Sequence, residues 1–110
     1  MSHYFHKHID EAFSALNGAY APNTLKSYYT DTNAFVDWCS EKNIEPFPLT
    51  SASAREYIET MAEHYSYASI RRRLSCLRRI NKLLGHQDYT HTEEVYLTIR
   101  RLKRSKCLDQ

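Results

Sequence analysis

The sequence predicts an all-α fold, an orthogonal bundle of four to five helices. Only two glycines and three prolines occur among 110 residues, too few for the many turns of a β-sandwich or barrel. Apolar residues recur three and four positions apart, which is the spacing of one face of an α-helix. With 42% hydrophobic and 25% charged residues, the chain has the composition of one globular domain.

The first two helices are predicted over residues 8–17 and 23–42. Apolar side chains share one face of each, and Gly18 is expected to end the first helix as its C-terminal cap. Asn23 or Thr24 is expected to cap the second, because their side-chain oxygens can accept hydrogen bonds from free backbone amides.

The connector and the third helix follow. Residues 43–49 contain two prolines and are predicted to be non-helical. Thr50 or Ser51 is expected to cap the third helix, with a Ser-x-x-Glu capping box that begins at Ser53. This helix is predicted to end near residue 65.

The fourth helix has the clearest pattern; it is predicted to follow Ser66 and Tyr67 and to end at Gly85. A fifth helix, capped by Thr92, is predicted to run to about residue 104. The apolar stripe of the fourth helix consists of Ile70, Leu74, Leu77, Ile80 and Leu84.

Charge is divided unevenly along the chain. Residues 1–65 hold four basic residues against nine acids, a net charge of −5, and residues 66–110 hold eleven against four, a net charge of +7. Such a division favours a polyanionic partner over a small neutral substrate. A solvated basic surface without a partner is the alternative.

Most of this charge lies in the arginine-rich stretch of residues 70–82. An amphipathic helix with arginines on its outer face suits the major groove of DNA, where arginine can bond to guanine through two hydrogen bonds. Arg71, Arg73 and Arg78 would contact phosphates. An exposed helix that forms salt bridges to the acidic half of the chain is the alternative. The side predicted to lie opposite the core stripe consists of Ser69, Arg72, Arg73, Cys76 and Arg79.

Two further sets of residues are candidate DNA contacts. The start of the second helix offers a lysine beside short hydroxyl side chains, which are typical phosphate partners. The end of the fifth helix is basic, although basic residues there also stabilise the helix dipole. The first set is Thr24, Lys26 and Ser27, and the second is Arg100, Arg101, Lys103 and Arg104.

No pattern indicates catalysis or a cofactor. The chain contains no glycine-rich phosphate loop and no Gly-x-Ser-x-Gly elbow. The three cysteines lack zinc-type spacing and are interpreted as reduced thiols. His3, His6 and His8 could chelate a metal, but a flexible N-terminus over residues 1–8 is the preferred interpretation. No signal peptide or membrane span is predicted, so a cytoplasmic protein is expected.

Three stretches resemble the N-terminal core-binding domain of tyrosine recombinases and phage integrases, a SAM-like helical bundle. Residues 23–39, NTLKSYYTDTNAFVDWC, are similar to the family's second helix, with its Thr-x3-Tyr-x6-Phe-x2-Trp-Cys pattern. Residues 66–81, SYASIRRRLSCLRRIN, resemble its fourth helix, with Asn81 where a histidine is usual. Residues 95–104, VYLTIRRLKR, are similar to its last helix.

The resemblance implies a DNA-binding domain over residues 9–105, with residues 106–110 leading toward a catalytic domain that this chain does not contain. It implies that Lys26 contacts the DNA backbone, that Ser69 contacts phosphate or base, and that Arg72 reads a base. Double-stranded DNA, the catalytic domain of the same protein and neighbouring protomers of a recombination synapse are the implied partners, with a bacterial or phage origin. A SAM-like adaptor that binds an acidic protein is the alternative. A helix-turn-helix regulator is a lesser one.

Overall fold

The computed structural model describes the backbone of residues 2–107 and the side chains of residues 9–106. The described residues form five helices and no strand, which confirms the all-α prediction. None of these helices is long and apolar enough to cross a membrane. The helices are α1 (Ser2–Leu16), α2 (Pro22–Glu41), α3 (Ser51–Met61), α4 (Tyr67–Leu83) and α5 (Glu93–Cys107).

Helix α4 is the centre of the bundle, since it contacts each of the other four helices. Its predicted core stripe is buried except for Leu84, which is half-buried. Against it lies an aromatic cluster around Phe35, which is fully buried and whose ring lies 4.9 Å from that of Tyr57 and 5.9 Å from that of Phe47. Trp38 stacks on Phe35 at 6.0 Å and closes the cluster.

The starts of the first two helices differ from the predicted ones. Helix α1 begins at Ser2 and includes residues 2–7, which precede the predicted start of the first helix. No glycine or proline interrupts this stretch. Helix α2 begins at Pro22, and its N-cap Ala21 makes no side-chain capping bond. The predicted cap at residue 23 or 24 was wrong because the fixed φ of proline suits the first helical position.

Helix α3 has the capping box one turn earlier than predicted. The Thr50 side chain accepts a hydrogen bond from the Ser53 amide at 3.1 Å, and the Ser53 hydroxyl accepts one from the Thr50 amide at 3.3 Å. Ser53 is therefore the third helical residue and not the cap. The helix ends at Met61, four residues before the predicted end.

The caps of the last two helices agree better with the sequence. Ser66 accepts from the Ser69 amide at 3.1 Å at the start of α4, and Gly85 follows its end with a φ of +88°. A glycine adopts this left-handed conformation without steric cost. The predicted cap Thr92 accepts from the amide of Val95 at 3.3 Å. Helix α5 extends to Cys107 and so includes residues 106 and 107.

Candidate nucleic-acid interface

One side of α4 faces solvent and carries most of its positive charge. Arg71, Ser75, Arg79 and Lys82 are exposed and recur at intervals of three or four residues, so they lie along one stripe of the helix. Arg72 borders this stripe on the side of α2. With Arg72 included, the solvent side of α4 therefore presents four cations along one helix.

Arg72 forms an ion pair with a buried acid on α2. Its Nη1 atom donates a hydrogen bond to Oδ2 of Asp31, whose side chain is only 4% exposed. The Arg72 side chain itself remains 49% exposed. One part of the guanidinium is thus held by the fold while the rest faces solvent. The Arg72–Asp31 pair is a salt bridge from α4 to the acidic half of the chain, as the alternative interpretation of this helix predicted.

Arg73 does not lie on the outer face where the sequence analysis placed it. Its side chain is 16% exposed, its Nη1 lies 3.8 Å from Oδ1 of Asp31, and its guanidinium lies over the ring of Tyr65 at 4.1 Å. Cys76, placed on the same outer side, is fully buried, and its thiol lies 3.5 Å from the Thr32 hydroxyl. Both expectations were wrong because α2 covers this side of α4. Because most of its side chain is covered, Arg73 is poorly placed to contact a phosphate.

Arg78 is also used inside the structure. Its Nε donates to the Thr90 hydroxyl at 2.8 Å, and its Nη2 donates to the Thr90 carbonyl at 3.4 Å. Burial, together with the charge of Arg71, lowers the pKa of Arg78, while Asp88 opposes this shift. Arginine nonetheless stays charged at neutral pH. Arg78 therefore anchors the loop between α4 and α5. Its contribution to the surface is positive electrostatic potential, because its Nε and Nη2 donors are already used by Thr90.

The basic residues of α5 point to different sides. Arg100 and Lys103 line an open cleft of about 540 Å³ between α4 and α5, opposite Arg71. Arg101 lines a different cleft toward α3, and its Nη2 donates to the Thr98 hydroxyl at 3.4 Å. Arg104 is exposed and lines neither of these clefts. The structure thus brings together only two of the four predicted contacts of α5.

The cleft between α4 and α5 continues along α4 into a second open cleft of about 580 Å³, and Arg78 and His91 line both. Two histidines of the loop between α4 and α5, His86 and His91, also line these clefts, and no sequence pattern indicated this position for them. We call the exposed cations that line the two clefts the basic groove: Arg71, Arg79, Lys82, Arg100 and Lys103.

Two tyrosines, Tyr67 and Tyr96, also line the cleft between α4 and α5 and were not among the predicted contacts. Arg71 lies over the ring of Tyr67 at 5.8 Å and donates to its hydroxyl at 2.9 Å. Arg100 lies over the ring of Tyr96 at 5.9 Å, and Tyr96 is 54% exposed. Both arginines therefore lie within cation–π distance of an aromatic ring that lines the cleft.

The predicted contacts at the start of α2 are at least partly accessible. Lys26 and Ser27 are exposed and Thr24 is half-buried. Tyr28 contacts Cys76 while Asp31 contacts Arg72, so α2 and α4 run past each other in opposite directions. The start of α2 therefore lies toward the Arg79 end of α4. Ser69 is half-buried and its amide is used by the Ser66 cap.

Groups that could support catalysis or metal binding are few in the described part of the chain. No cluster of three histidine, cysteine or acidic residues that could hold a metal occurs there. His3, His6 and His8 lie outside the described side chains. Burial raises the pKa of the Cys39 thiol to about 12 and that of Cys76 to about 11. Both thiols are therefore protonated at neutral pH, the opposite of an activated nucleophile.

A family model described as phage integrase, N-terminal SAM-like domain, matches residues 12–88, which include α2, α3 and α4. No curated protein matches the chain.

Proposed function

This chain belongs to the family of phage integrase N-terminal SAM-like domains, the non-catalytic N-terminal part of integrases, and we propose that it binds double-stranded DNA. In this proposal it is the DNA-binding half of a site-specific tyrosine recombinase. The catalytic domain of the full-length protein and neighbouring protomers of a synapse are its proposed protein partners.

The basic groove is the observation that carries this proposal. Its five cations are exposed and line two continuous clefts on one side of the molecule. Of the two acids that line these clefts, Asp88 is paired with His91 at 2.9 Å, and Glu93 lies at the start of α5. The surplus of positive charge suits the phosphates of a duplex.

The shape of the surface also fits a duplex. Arg71 and Lys82 are eleven residues apart on α4, which corresponds to about 16 Å along the helix axis. A helix presented on the surface in this way can enter a major groove about 12 Å wide. Cations along both walls of the basic groove would then follow the phosphates of one strand, while Arg72 at its edge would face the bases.

Binding to duplex DNA over a series of salt concentrations tests the proposal. The full 110-residue chain would be titrated into a fluorescently labelled 30-base-pair duplex, and the affinity measured by anisotropy. If the five cations of the basic groove each contact a phosphate, the log–log salt slope should be about −4.5, or roughly −0.9 per contact.

The matched control is the variant Arg79→Glu/Lys82→Glu, which should bind more weakly and with a slope smaller by about 1.8. No measurable binding to any duplex at low salt would contradict the proposal. Binding to polyglutamate in that case would instead favour a protein adaptor for acidic partners.

A further inference from the structure

Asp31 joins the two helices at the edge of the DNA-binding surface. It lies on α2, is 4% exposed, and faces two consecutive arginines of α4. Consecutive residues on a helix point about 100° apart. Arg73 can therefore reach the carboxylate from the interior while Arg72 reaches it from the solvent side.

Each arginine uses a different oxygen of the carboxylate. Oδ1 faces Nη1 of Arg73 at 3.8 Å, and Oδ2 accepts from Nη1 of Arg72. Arg73 is held by its position over the ring of Tyr65 and by contact with the Tyr57 hydroxyl. The interior half of this arrangement is thus enclosed by the fold, and Oδ2 is the oxygen that accepts from Arg72.

Stability alone is a poor explanation for this buried acid. Replacement of a buried ion pair by well-packed apolar residues is often neutral or stabilising, because the charges must be removed from water. Moreover, Asp31 neutralises positive charge beside a surface whose cations would otherwise all attract phosphate. On the exposed side, Asp31 gives the otherwise flexible guanidinium of Arg72 a defined orientation.

We propose that Asp31 is a positioning residue that sets the guanidinium of Arg72 to read a guanine in the major groove. With Nη1 held by Asp31, the remaining N–H groups of Arg72 keep one orientation and can bond to O6 and N7 of guanine. Asp31 thereby raises base discrimination and lowers general attraction to the backbone. This inference rests on the proposed DNA-binding function.

The test compares wild type with Asp31→Asn, Arg72→Ala and the double variant. Each protein is used to select duplexes from a library with eight random base pairs. We also measure the affinity of each protein for one fixed duplex that the selection does not enrich. Wild type should enrich guanine at one position, and Asp31→Asn should lower that enrichment about tenfold, which is within the range for one bidentate contact.

The same variant should bind the fixed duplex more tightly, with a salt slope steeper by about 0.9, because the released Arg72 is free to contact a phosphate. In the Arg72→Ala background, Asp31→Asn should cause no further loss of enrichment. A further loss there would show that Asp31 acts on the fold in general, and would overturn the inference.

A measurement on wild type covers the case in which Asp31→Asn does not fold. Nitrogen-15 NMR of the free protein should show slow rotation of the Arg72 guanidinium and averaged signals for Arg79, which is exposed on the same helix. Averaged signals for both would overturn the inference. So would duplex binding by wild type without any base preference, although the proposed function would survive that result. No duplex binding at all would remove both.

Discussion

The side-chain oxygen of Asn81 accepts a hydrogen bond from the backbone amide of Leu49 at 2.9 Å. The side-chain nitrogen of Asn81 donates to the Gln87 carbonyl at 2.9 Å. One buried carboxamide near the end of α4 thus holds both the connector before α3 and the loop after α4. That loop carries His86 and His91 to the basic groove.

We expect Asn81→Ala to destabilise the protein by about 2–4 kcal/mol, because a backbone N–H and a backbone carbonyl lose their buried partner. Urea unfolding followed by circular dichroism measures the change. The control is Lys82→Ala, an exposed neighbour on the same helix, which should change the free energy of unfolding by less than about 0.5 kcal/mol. Equal effects of the two substitutions would show that the hydrogen bonds of Asn81 to the two loops do not stabilise the fold.

The two sides of α5 should contribute unequally to DNA binding. Arg100→Glu/Lys103→Glu changes two cations of the basic groove, and Arg101→Glu/Arg104→Glu changes two that lie outside it. Both variants lose the same net charge. We expect the first to lower duplex affinity at least about tenfold and to reduce the salt slope by about 1.8, and the second to have a much smaller effect.

The measurement is anisotropy with one duplex at several salt concentrations. Similar losses in the two variants would mean that total charge, and not the basic groove, determines binding. That result would also restore Arg101 and Arg104 as contacts, as the family resemblance and the basic end of α5 first suggested.

Local features of this chain could be predicted from the sequence, because local interactions determine them. The apolar stripe of α4, its end at Gly85 and the cap at Thr92 each depend on residues within one or two turns. The resemblance over the second and fourth helices likewise identified the family that the comparison confirmed.

The surface of α4 could not be predicted, because it depends on how many helices cover it. A single apolar stripe predicted one buried side, yet α2 also covers Arg73 and Cys76. Arg100 and Arg101 are adjacent in sequence but about 100° apart on the helix. Which of them joins the basic groove is decided by the packing of α5 against both α3 and α4.

The buried thiols should make the protein less stable at alkaline pH. Burial raises the pKa of Cys76 from 9.0 to about 11 and that of Cys39 to about 12. Between the unfolded and folded pKa values only the unfolded chain loses these protons. The stability contribution is therefore complete below pH 9 and decreases above it, by up to about 1.4 kcal/mol per pH unit for each thiol.

Urea unfolding at pH 8, 9 and 10 measures this decrease. Cys76→Ser should reduce the decrease without abolishing it, because Cys39 still titrates and burial also raises the pKa of Tyr57 to about 12. Serine can keep the contacts with the Thr32 hydroxyl and the Tyr28 carbonyl. An identical pH profile in the variant would contradict the assignment to Cys76.

Asp88 should stabilise the loop after α4 at neutral pH and lose this effect in acid. Burial raises its pKa, but hydrogen bonds from the Thr90 hydroxyl and amide and the charges of His91 and Arg78 outweigh burial and lower it. A carboxyl whose folded pKa lies below its unfolded value stabilises the fold above the unfolded pKa. This contribution disappears as the pH falls through the folded pKa, below 3.8.

We therefore expect Asp88→Asn to lower Tm at pH 7 and to have a smaller effect at pH 2.5, because the stabilising contribution of Asp88 decreases once the pH falls below its unfolded pKa of 3.8. Thermal melts at the two pH values measure the difference, with Glu45→Gln as the control for an exposed carboxyl that should change Tm little at either pH. A constant difference between wild type and Asp88→Asn would show that its hydrogen-bonding geometry matters and its charge does not. In the expected case, the charge of Asp88 holds the loop that carries His91. Asp88→Asn should then also bind duplex DNA more weakly at neutral pH, because that loop lines the same clefts as the basic groove. This loss is expected even though the variant has a higher net positive charge.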